Sequence, residues 1–186
     1  NYLKKIKRDY IKIREPGGSI NSEILRKLIL NKKSNFNKKT DLLLILASRS
    51  ENYEKIIKQK HKKKIIIIDR FTDSTFAYQH YGMGIELDLI KKINNFVTNR
   101  FKPDFTFLNI VNKKNMKKRL KIRKNKNKYD YFNFNFYNKV QRGFLKISKN
   151  KKFYMIIDTN KKINDNKKMI IKKINKLISS KWIINW

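Results

Sequence analysis

The stretch Ile65-Ile66-Ile67-Ile68-Asp69-Arg70-Phe71 places two charged residues directly after four β-branched residues. A short, continuous apolar run is typical of a strand that is covered on both faces, as in a parallel sheet. Ligands of open α/β sheets bind at the carboxyl ends of the strands, where Asp69 and Arg70 fall. We therefore expect Asp69 to orient Mg²⁺ or its waters and Arg70 to bind a phosphate group. A structural salt bridge is the alternative interpretation of this pair.

Three further apolar runs predict strands, and stretches with helical periodicity separate them. The predicted strands are residues 10–14, 65–69, 105–111 and 153–158. The predicted helices are residues 22–30, 41–59, 87–98, 113–123, 134–148 and 165–179. This alternation indicates an α/β architecture with a mostly parallel, doubly wound sheet, in one domain that spans residues 1–186. Residues 123–128 are low in complexity and predict a mobile loop.

The composition is strongly basic, with 48 Lys and Arg against 14 Asp and Glu and a net charge of +34. The lysines are spread along the whole chain, and Lys, Ile and Asn share codons rich in A and T. An A/T-biased genome explains this pattern better than a selected nucleic-acid surface, although a basic nucleic-acid-binding protein stays an alternative. The absence of Cys excludes disulfide scaffolds and cysteine nucleophiles. No apolar run has the length of a membrane span, and we expect a cytoplasmic protein.

Other candidate binding residues lie in three segments of the chain. Arg14 precedes the turn Glu15-Pro16-Gly17-Gly18, in which glycines allow a close approach of the backbone to an anion. Arg49 lies near the middle of a predicted helix, and the polar residues Thr75, Tyr78 and Gln79 are suited to contact a base and a sugar. The alternatives are an ordinary Pro-Gly turn and a capped helix.

Arg119 and Arg123 lie four residues apart at the end of a predicted helix and lead into the basic loop. A mobile loop that carries arginines is able to close over a phosphoryl group during its transfer. A solvated basic helix is the alternative.

These segments together resemble the bacterial thymidylate kinase family, whose members are P-loop nucleoside monophosphate kinases. The resemblance rests on collinear motifs at Arg14–Gly18, Ala47–Arg49, Asp69–Gln79, Phe101–Thr106 and Ile157–Asp158. It implies a three-layer P-loop-kinase fold, the substrates dTMP and ATP, Mg²⁺, a homodimer and a lid at about residues 119–133. Another nucleoside or nucleotide kinase is the nearest alternative function, and we do not expect nucleic acid as a partner.

The resemblance also implies a role for each candidate residue. Arg14 and Arg70 would hold the dTMP phosphate, and Asp69 would act on Mg²⁺ indirectly beside the transferring phosphate. The residues that would contact the nucleoside are Arg49, Thr75 and Gln79 at the thymine and Tyr78 beneath the deoxyribose, where it disfavours a 2′-hydroxyl. Arg119 would stack on adenine, and Arg123 would stabilise the transition state from the lid.

The sequence departs from the family pattern at several positions. No G-x-x-x-x-G-K-[ST] motif occurs in the 186 residues, and the first strand of the family pattern is missing as well. We expect either a sequence that is incomplete at its N-terminus or a degenerate or split gene. We expect these residues alone to be inactive as a kinase. Ile45 replaces a thymine-stacking Phe, and Tyr131 and Asn133 replace the Arg and Glu of the lid motif. These replacements predict weaker thymine selectivity and a weaker lid.

Overall fold

The computed structural model describes residues 2–150 and 152–180 of the chain. Of these described residues, those in the ranges 2–8, 104–123, 148–150 and 152–180 form a first compact unit, and residues 9–103 and 124–147 form a second. The expectation of one domain with a lid at about residues 119–133 stays a prediction.

Each unit contains a parallel pair of strands. In the second unit, β1 (Tyr10–Arg14) pairs with β2 (Ile65–Asp69). In the first unit, β3 (Thr106–Ile110) pairs with β4 (Tyr154–Asp158). The structure confirms all four predicted strands. Only two are shorter than the sequence indicated, β3 by one residue at each end and β4 by one residue at its start.

The helices account for most of the remaining chain. In chain order they are α1 (Tyr2–Lys5), α2 (Ile20–Leu30), α3 (Lys38–Asn52), α4 (Lys58–Lys60), α5 (Thr72–Thr75), α6 (Leu87–Val97), α7 (Lys113–Ile122), α8 (Phe134–Ile147) and α9 (Ile163–Ser179). Two π-helical segments, Tyr53–Ile57 and Phe76–Gly82, and one 3₁₀ turn, Lys128–Tyr131, complete the helical structure. No helix among the described residues is long and apolar enough to cross a bilayer.

Several helix ends differ from the prediction by one or two residues, α1 was not predicted, and two helical regions differ by more. The expected helix 41–59 begins earlier, at Lys38, because the side chain of Asn37 accepts hydrogen bonds from the amides of Lys39 and Thr40. The residues from Thr72 to Gly82 are helical, although the sequence offered a helix there only as the alternative interpretation of Thr75, Tyr78 and Gln79. Polar side chains occupy part of the buried face of this helix, so the apolar periodicity that predicts a helix is missing.

The core of the second unit lies beneath the β1–β2 pair and between two helices. Buried Ile13 of β1 packs with Tyr53, Ile57 and Phe71 under the sheet. A separate apolar cluster joins α3 to α6 through Leu42, Leu46, Ile85 and Ile90. The first cluster holds the segment after β2 against β1 through Phe71, and the second holds α3 against α6.

Candidate functional site

Arg14 and Asp69 are paired in register at the carboxyl ends of β1 and β2. The sequence predicted that both would lie at this edge, and the structure brings them together as neighbours. Arg70 follows with a φ of +66°, a left-handed conformation that is uncommon for residues with a side chain. Such backbone conformations concentrate at functional sites, because the surrounding structure must compensate for their strain.

The guanidinium of Arg70 lies over the ring of Tyr78, 5.3 Å from the ring centroid. Desolvation acts to lower the pKa of Arg70, but the hydroxyl of Tyr78 and the carboxylate of Asp69 outweigh it and raise that pKa. Arg70 is therefore a permanent cation held on an aromatic surface. Arg70, the residue predicted to bind a phosphate group, thus lies next to Tyr78, the residue predicted to lie beneath the sugar.

Arg14 donates to the carboxylate of Glu23 in α2, with Nη2 3.1 Å from Oε2. The other oxygen of Glu23 accepts a hydrogen bond from the Gly18 amide at 2.9 Å. Desolvation opposes the charge of Glu23, but the Gly18 amide and the Arg14 guanidinium lower its pKa below the ordinary value. A phosphate group that binds Arg14 would therefore compete with an ionised carboxylate for the same guanidinium.

The turn at Gly17 and Gly18 does not present its amides to a ligand, which corrects the expectation that its backbone approaches an anion. The Gly17 amide donates to Ser48 Oγ at 3.2 Å, and the Ser19 amide donates to Asn52 Oδ1 at 2.9 Å. With the bond from Gly18 to Glu23, all three amides are bound by protein side chains. The turn instead fixes the end of β1 against α2 and α3.

Replacing Gly18 with Ala should destabilise this turn. Gly18 has a φ of +122°, and a Cβ there would lie 2.6 Å from Asn52 Oδ1 and 2.9 Å from Ile13 Cγ2. We expect Gly18→Ala to lower the free energy of unfolding by about 1–3 kcal/mol, measured by urea denaturation. Gly84→Ala is the matched control, because Gly84 also has a positive φ but no atom lies within 4 Å of its added Cβ. Equal losses for the two variants would contradict the contact with Asn52.

Arg49 is almost fully buried, at 1% exposure, and it is held by polar groups from three segments. Its Nε donates to Glu15 Oε2 at 2.7 Å, and its Nη1 donates to Thr75 Oγ1 at 2.9 Å. Nη1 also donates to Asn94 Oδ1 in α6. The structure thus brings together Arg49 and Thr75, two of the residues predicted at the base, in a network that includes the turn after β1.

Gln79 carries an unsatisfied donor inside the protein. Gln79 is 1% exposed, and its Nε2 has no hydrogen-bond partner. Every other buried side-chain nitrogen or oxygen of the described residues has a partner. Gln79 belongs to the π-helical segment Phe76–Gly82. Short π-helical stretches are rare and are found frequently at functional sites. A buried amide without a partner indicates a ligand or water that accepts its hydrogen bond.

Sequence reasoning missed three residues that shape this site. Arg26 donates to the Pro16 carbonyl at 2.5 Å. Desolvation and the charge of Arg14 lower the pKa of Arg26. The charge of Arg70 lowers it further, and the charge of Asp69 opposes this change. Its position three residues after Glu23, on the helix that follows the turn, is the only signal in the sequence. Glu15 and Asn94, the acceptors of Arg49, carried no signal beyond the motif that contains Glu15.

Arg119 and Arg123 belong to the first unit. Arg119 donates from Nη1 to Thr159 Oγ1 at 3.0 Å and from Nη2 to the Thr159 carbonyl at 2.7 Å. Arg123 does not share a helical face with Arg119, because α7 ends at Ile122 and Arg123 has extended backbone. The predicted helix 113–123 was therefore one residue too long, and that residue is Arg123.

The segment after the basic loop is anchored in the second unit. The sequence predicts a mobile loop that ends at Lys128, but the ammonium of Lys128 pairs with the buried carboxylate of Asp41. Asp130 closes a capping box with Asn127, and Tyr131 is exposed. Ile45, in place of the family's Phe, is half-buried in α3.

The residues described by the structure contain no group of three or more His, Cys, Asp or Glu side chains able to hold a metal ion. Asp69 lies at the carboxyl end of β2, and its carboxylate at this edge of the sheet suits a cation. Mg²⁺ commonly keeps several waters and binds through one or two carboxylates together with substrate phosphates. A single carboxylate at this edge therefore fits a cation that arrives with a nucleotide.

A sequence model of the thymidylate kinase family matches residues 1–170. The thymidylate kinase of Thermosipho africanus is 37% identical over 165 residues, which cover 88% of this chain and 82% of that protein. The thymidylate kinase of Wolbachia sp. subsp. Brugia malayi is 36% identical and covers 99% of this chain and 88% of its own length. The crystal structure of thymidylate kinase from Ehrlichia chaffeensis matches with a TM-score of 0.73 at 34% identity, over 94% of this chain and 85% of that one. This likeness confirms the expected three-layer α/β fold of P-loop kinases.

Proposed function

Because the chain belongs to the thymidylate kinase family, we propose that its second unit binds dTMP as the acceptor of the γ-phosphoryl group of ATP. In this reaction an oxygen of the dTMP phosphate forms a bond to the γ-phosphorus. The bond from that phosphorus to the β–γ bridging oxygen breaks, and ADP leaves while dTDP is formed. Phosphoryl transfer of this kind depends on positioning and on electrostatic stabilisation.

The observation that carries the proposal is the unpaired buried amide of Gln79. Its Nε2 offers a hydrogen bond to a carbonyl oxygen, and the edge of thymine presents carbonyl oxygens. Thr75 Oγ1 and the guanidinium of Arg49 lie in one polar network, and Thr75 is four residues before Gln79. We propose that this group reads the base.

The phosphate of dTMP would bind at the strand edge. Arg70 and Arg14 supply the guanidinium groups there, and Arg26 adds a third positive charge near both. Arginine forms bidentate bonds with phosphate oxygens, which fix both the distance and the orientation of the group. Tyr78, beneath Arg70, would lie under the deoxyribose and disfavour a 2′-hydroxyl.

ATP and Mg²⁺ are part of the proposal. Asp69 would orient Mg²⁺ or its waters beside the transferring phosphate, and the ion would neutralise charge on the phosphate oxygens. In the first unit, Arg119 would stack on adenine, and Arg123 would stabilise the charge of the transition state. The hydrogen bonds from Arg119 to Thr159 hold its guanidinium plane in a fixed orientation.

We also propose a cytoplasmic homodimer, in line with the family resemblance. Ile20, Ile24 and Leu28 lie four residues apart along one face of α2 and are exposed, Ile20 to 85%. An exposed apolar stripe of this length is typical of a surface that another protein covers.

The test is a binding series measured by isothermal titration calorimetry. We expect dTMP to bind more tightly than dCMP and dGMP, because Gln79 and Arg49 are donors and suit the carbonyl oxygens of thymine. dUMP should bind nearly as well as dTMP, because Ile45 offers no aromatic platform against which the methyl group is selected. Equal affinity for all four nucleotides would contradict the assignment of the base site, and tighter binding of another nucleotide would favour a different nucleotide kinase.

Two variants sharpen this test. Gln79→Leu should weaken dTMP binding and reduce the preference over dCMP, because the buried donor is removed. Gln59→Leu is the matched control on an exposed position. Tight binding of RNA that persists above ~0.2 M salt, without affinity for dTMP, would instead support a basic nucleic-acid-binding protein.

A further inference from the structure

Asp41 is a buried carboxylate with two partners from a distant segment of the chain. It lies in the first turn of α3 at 3% exposure, where the helix dipole favours a negative charge. It accepts hydrogen bonds from the ammonium of Lys128 and from Tyr129 Oη, the second at 2.7 Å. A carboxylate buried to this extent with two donors constrains the segment that supplies them.

Lys128 is enclosed rather than solvated. Its Nζ lies 5.5 Å from the ring centroid of Phe36 and 5.4 Å from that of Tyr129, and its side chain is 13% exposed. Burial raises the pKa of Tyr129, and the neighbouring carboxylate of Asp41 raises it further, so the hydroxyl stays a proton donor. The backbone at Tyr129 is held as well, because Tyr137 Oη donates to its carbonyl at 2.6 Å.

The ring of Tyr129 packs edge-on against Tyr78, with centroids 5.9 Å apart and planes at 85°. Phe136 and Phe144 of α8 also contact Tyr78, at 5.9 Å and 6.3 Å, and Arg70 lies over its ring. Tyr78 is therefore surrounded by three rings and one cation. Tyr129 differs from the two phenylalanines because a polar anchor fixes its hydroxyl end.

We infer that Tyr129, fixed by Asp41 and Lys128, is a positioning residue that sets the ring of Tyr78 and thereby the discrimination between deoxyribose and ribose. The inference rests on the proposed dTMP site, and it adds residues outside the motifs that carry the family resemblance. Tyr129 acts through Tyr78, and its own hydroxyl is occupied by Asp41. Loss of the anchor frees the ring of Tyr129, and the ring of Tyr78 then gains room to move away from the 2′ position.

The experiment measures the dissociation constants of dTMP and of its ribose counterpart, 5-methyluridine 5′-monophosphate, by calorimetry. The readout is the dissociation constant of the ribose nucleotide divided by that of dTMP, a ratio that is large when deoxyribose is preferred. Tyr129→Phe keeps the ring and removes one hydrogen bond, so we expect the ratio to fall about fivefold to tenfold. Asp41→Asn keeps an acceptor but removes the partner of Lys128, and it should reduce the ratio in the same direction.

Tyr2→Phe is the matched control, because it also removes one tyrosine hydroxyl bond, that from Tyr2 to Asn175 at 2.5 Å in the first unit. We expect this variant to keep the parent ratio. If Asp41→Asn fails to fold, the nearly isosteric Tyr129→Phe still decides the question.

The outcomes separate the two proposals. An unaltered chain that does not bind dTMP overturns the proposed function and this inference with it. A chain that binds dTMP but shows no preference for deoxyribose overturns the inference alone. The same holds if Tyr129→Phe weakens both nucleotides equally and leaves their ratio unchanged, since a merely structural role would do so.

Discussion

Arg49→Met should lower the free energy of unfolding by about 3–5 kcal/mol, because it leaves a buried carboxylate without its partner. Glu15 is 4% exposed and accepts from Arg49 Nε at 2.7 Å. Thr75 and Asn94 lose their donor in the same substitution. A domain is stable by only about 5–15 kcal/mol, so this change removes a large share of the total. The measurement is chemical denaturation followed by circular dichroism.

Two further variants make this expectation specific to the buried network. Lys58→Met breaks the exposed pair with Glu54, and such pairs contribute little to stability because solvent and salt screen them. The double variant Arg49→Met with Glu15→Gln should recover part of the loss, because no buried charge is left unpaired. A loss for Arg49→Met no larger than that for Lys58→Met would show that water reaches Glu15. If Arg49→Met does not fold, the double variant supplies the comparison.

The strands could be predicted from the sequence because their signal is local. Ile65–Asp69 is a continuous β-branched run that ends in charges, and the structure begins and ends β2 at those residues. The helix from Thr72 to Gly82 could not be predicted in this way. Its buried face carries Thr75 and Gln79, two polar residues. Thr75 is bound there by Arg49, and a periodicity of apolar residues does not show such a partner.

The candidate site was predictable where a motif fixes both a residue and its direction. Arg14 and Asp69 are the last residues of β1 and β2, and parallel pairing makes them neighbours. The partners of these residues come from elsewhere in the chain and were not predictable. Glu23 accepts a hydrogen bond from Arg14, and Asn94 accepts one from Arg49 although the two residues are 45 positions apart. Only the folded chain shows which of these polar groups meet.

The anchoring of Lys128 shows the limit of composition as a guide. A run of Lys and Asn predicts a mobile, solvated loop, and 39 lysines make any one of them inconspicuous. The decisive feature is Asp41, one of 14 acidic residues, which is buried in α3 and needs a cation. In a chain with so few acids, a buried carboxylate is a better indicator of an ordered contact than any lysine.

Arg70→Ala should weaken dTMP binding by about 10- to 150-fold, since a charge-assisted hydrogen bond contributes about 1.5–3 kcal/mol. The location of Arg70 explains why a single cation among 48 has this effect. The residue follows β2 at the sheet edge, and its guanidinium is held over the ring of Tyr78. Its side chain is therefore oriented before a phosphate arrives, which reduces the entropy lost on binding. Calorimetry with dTMP at fixed ionic strength gives the measurement.

Arg70→Lys should recover only part of the loss, because an ammonium cannot form two parallel bonds with a phosphate group or stack flat on Tyr78. Lys172→Ala removes an exposed cation of α9 and should change the affinity by less than about twofold, because salt screens the charge of a solvated side chain. Equal losses for Arg70→Ala and Lys172→Ala would mean that the net charge of +34 attracts the nucleotide diffusely. The contrast between Arg70→Ala and Lys172→Ala thus distinguishes binding at a specific phosphate site from attraction by the general positive charge of the chain.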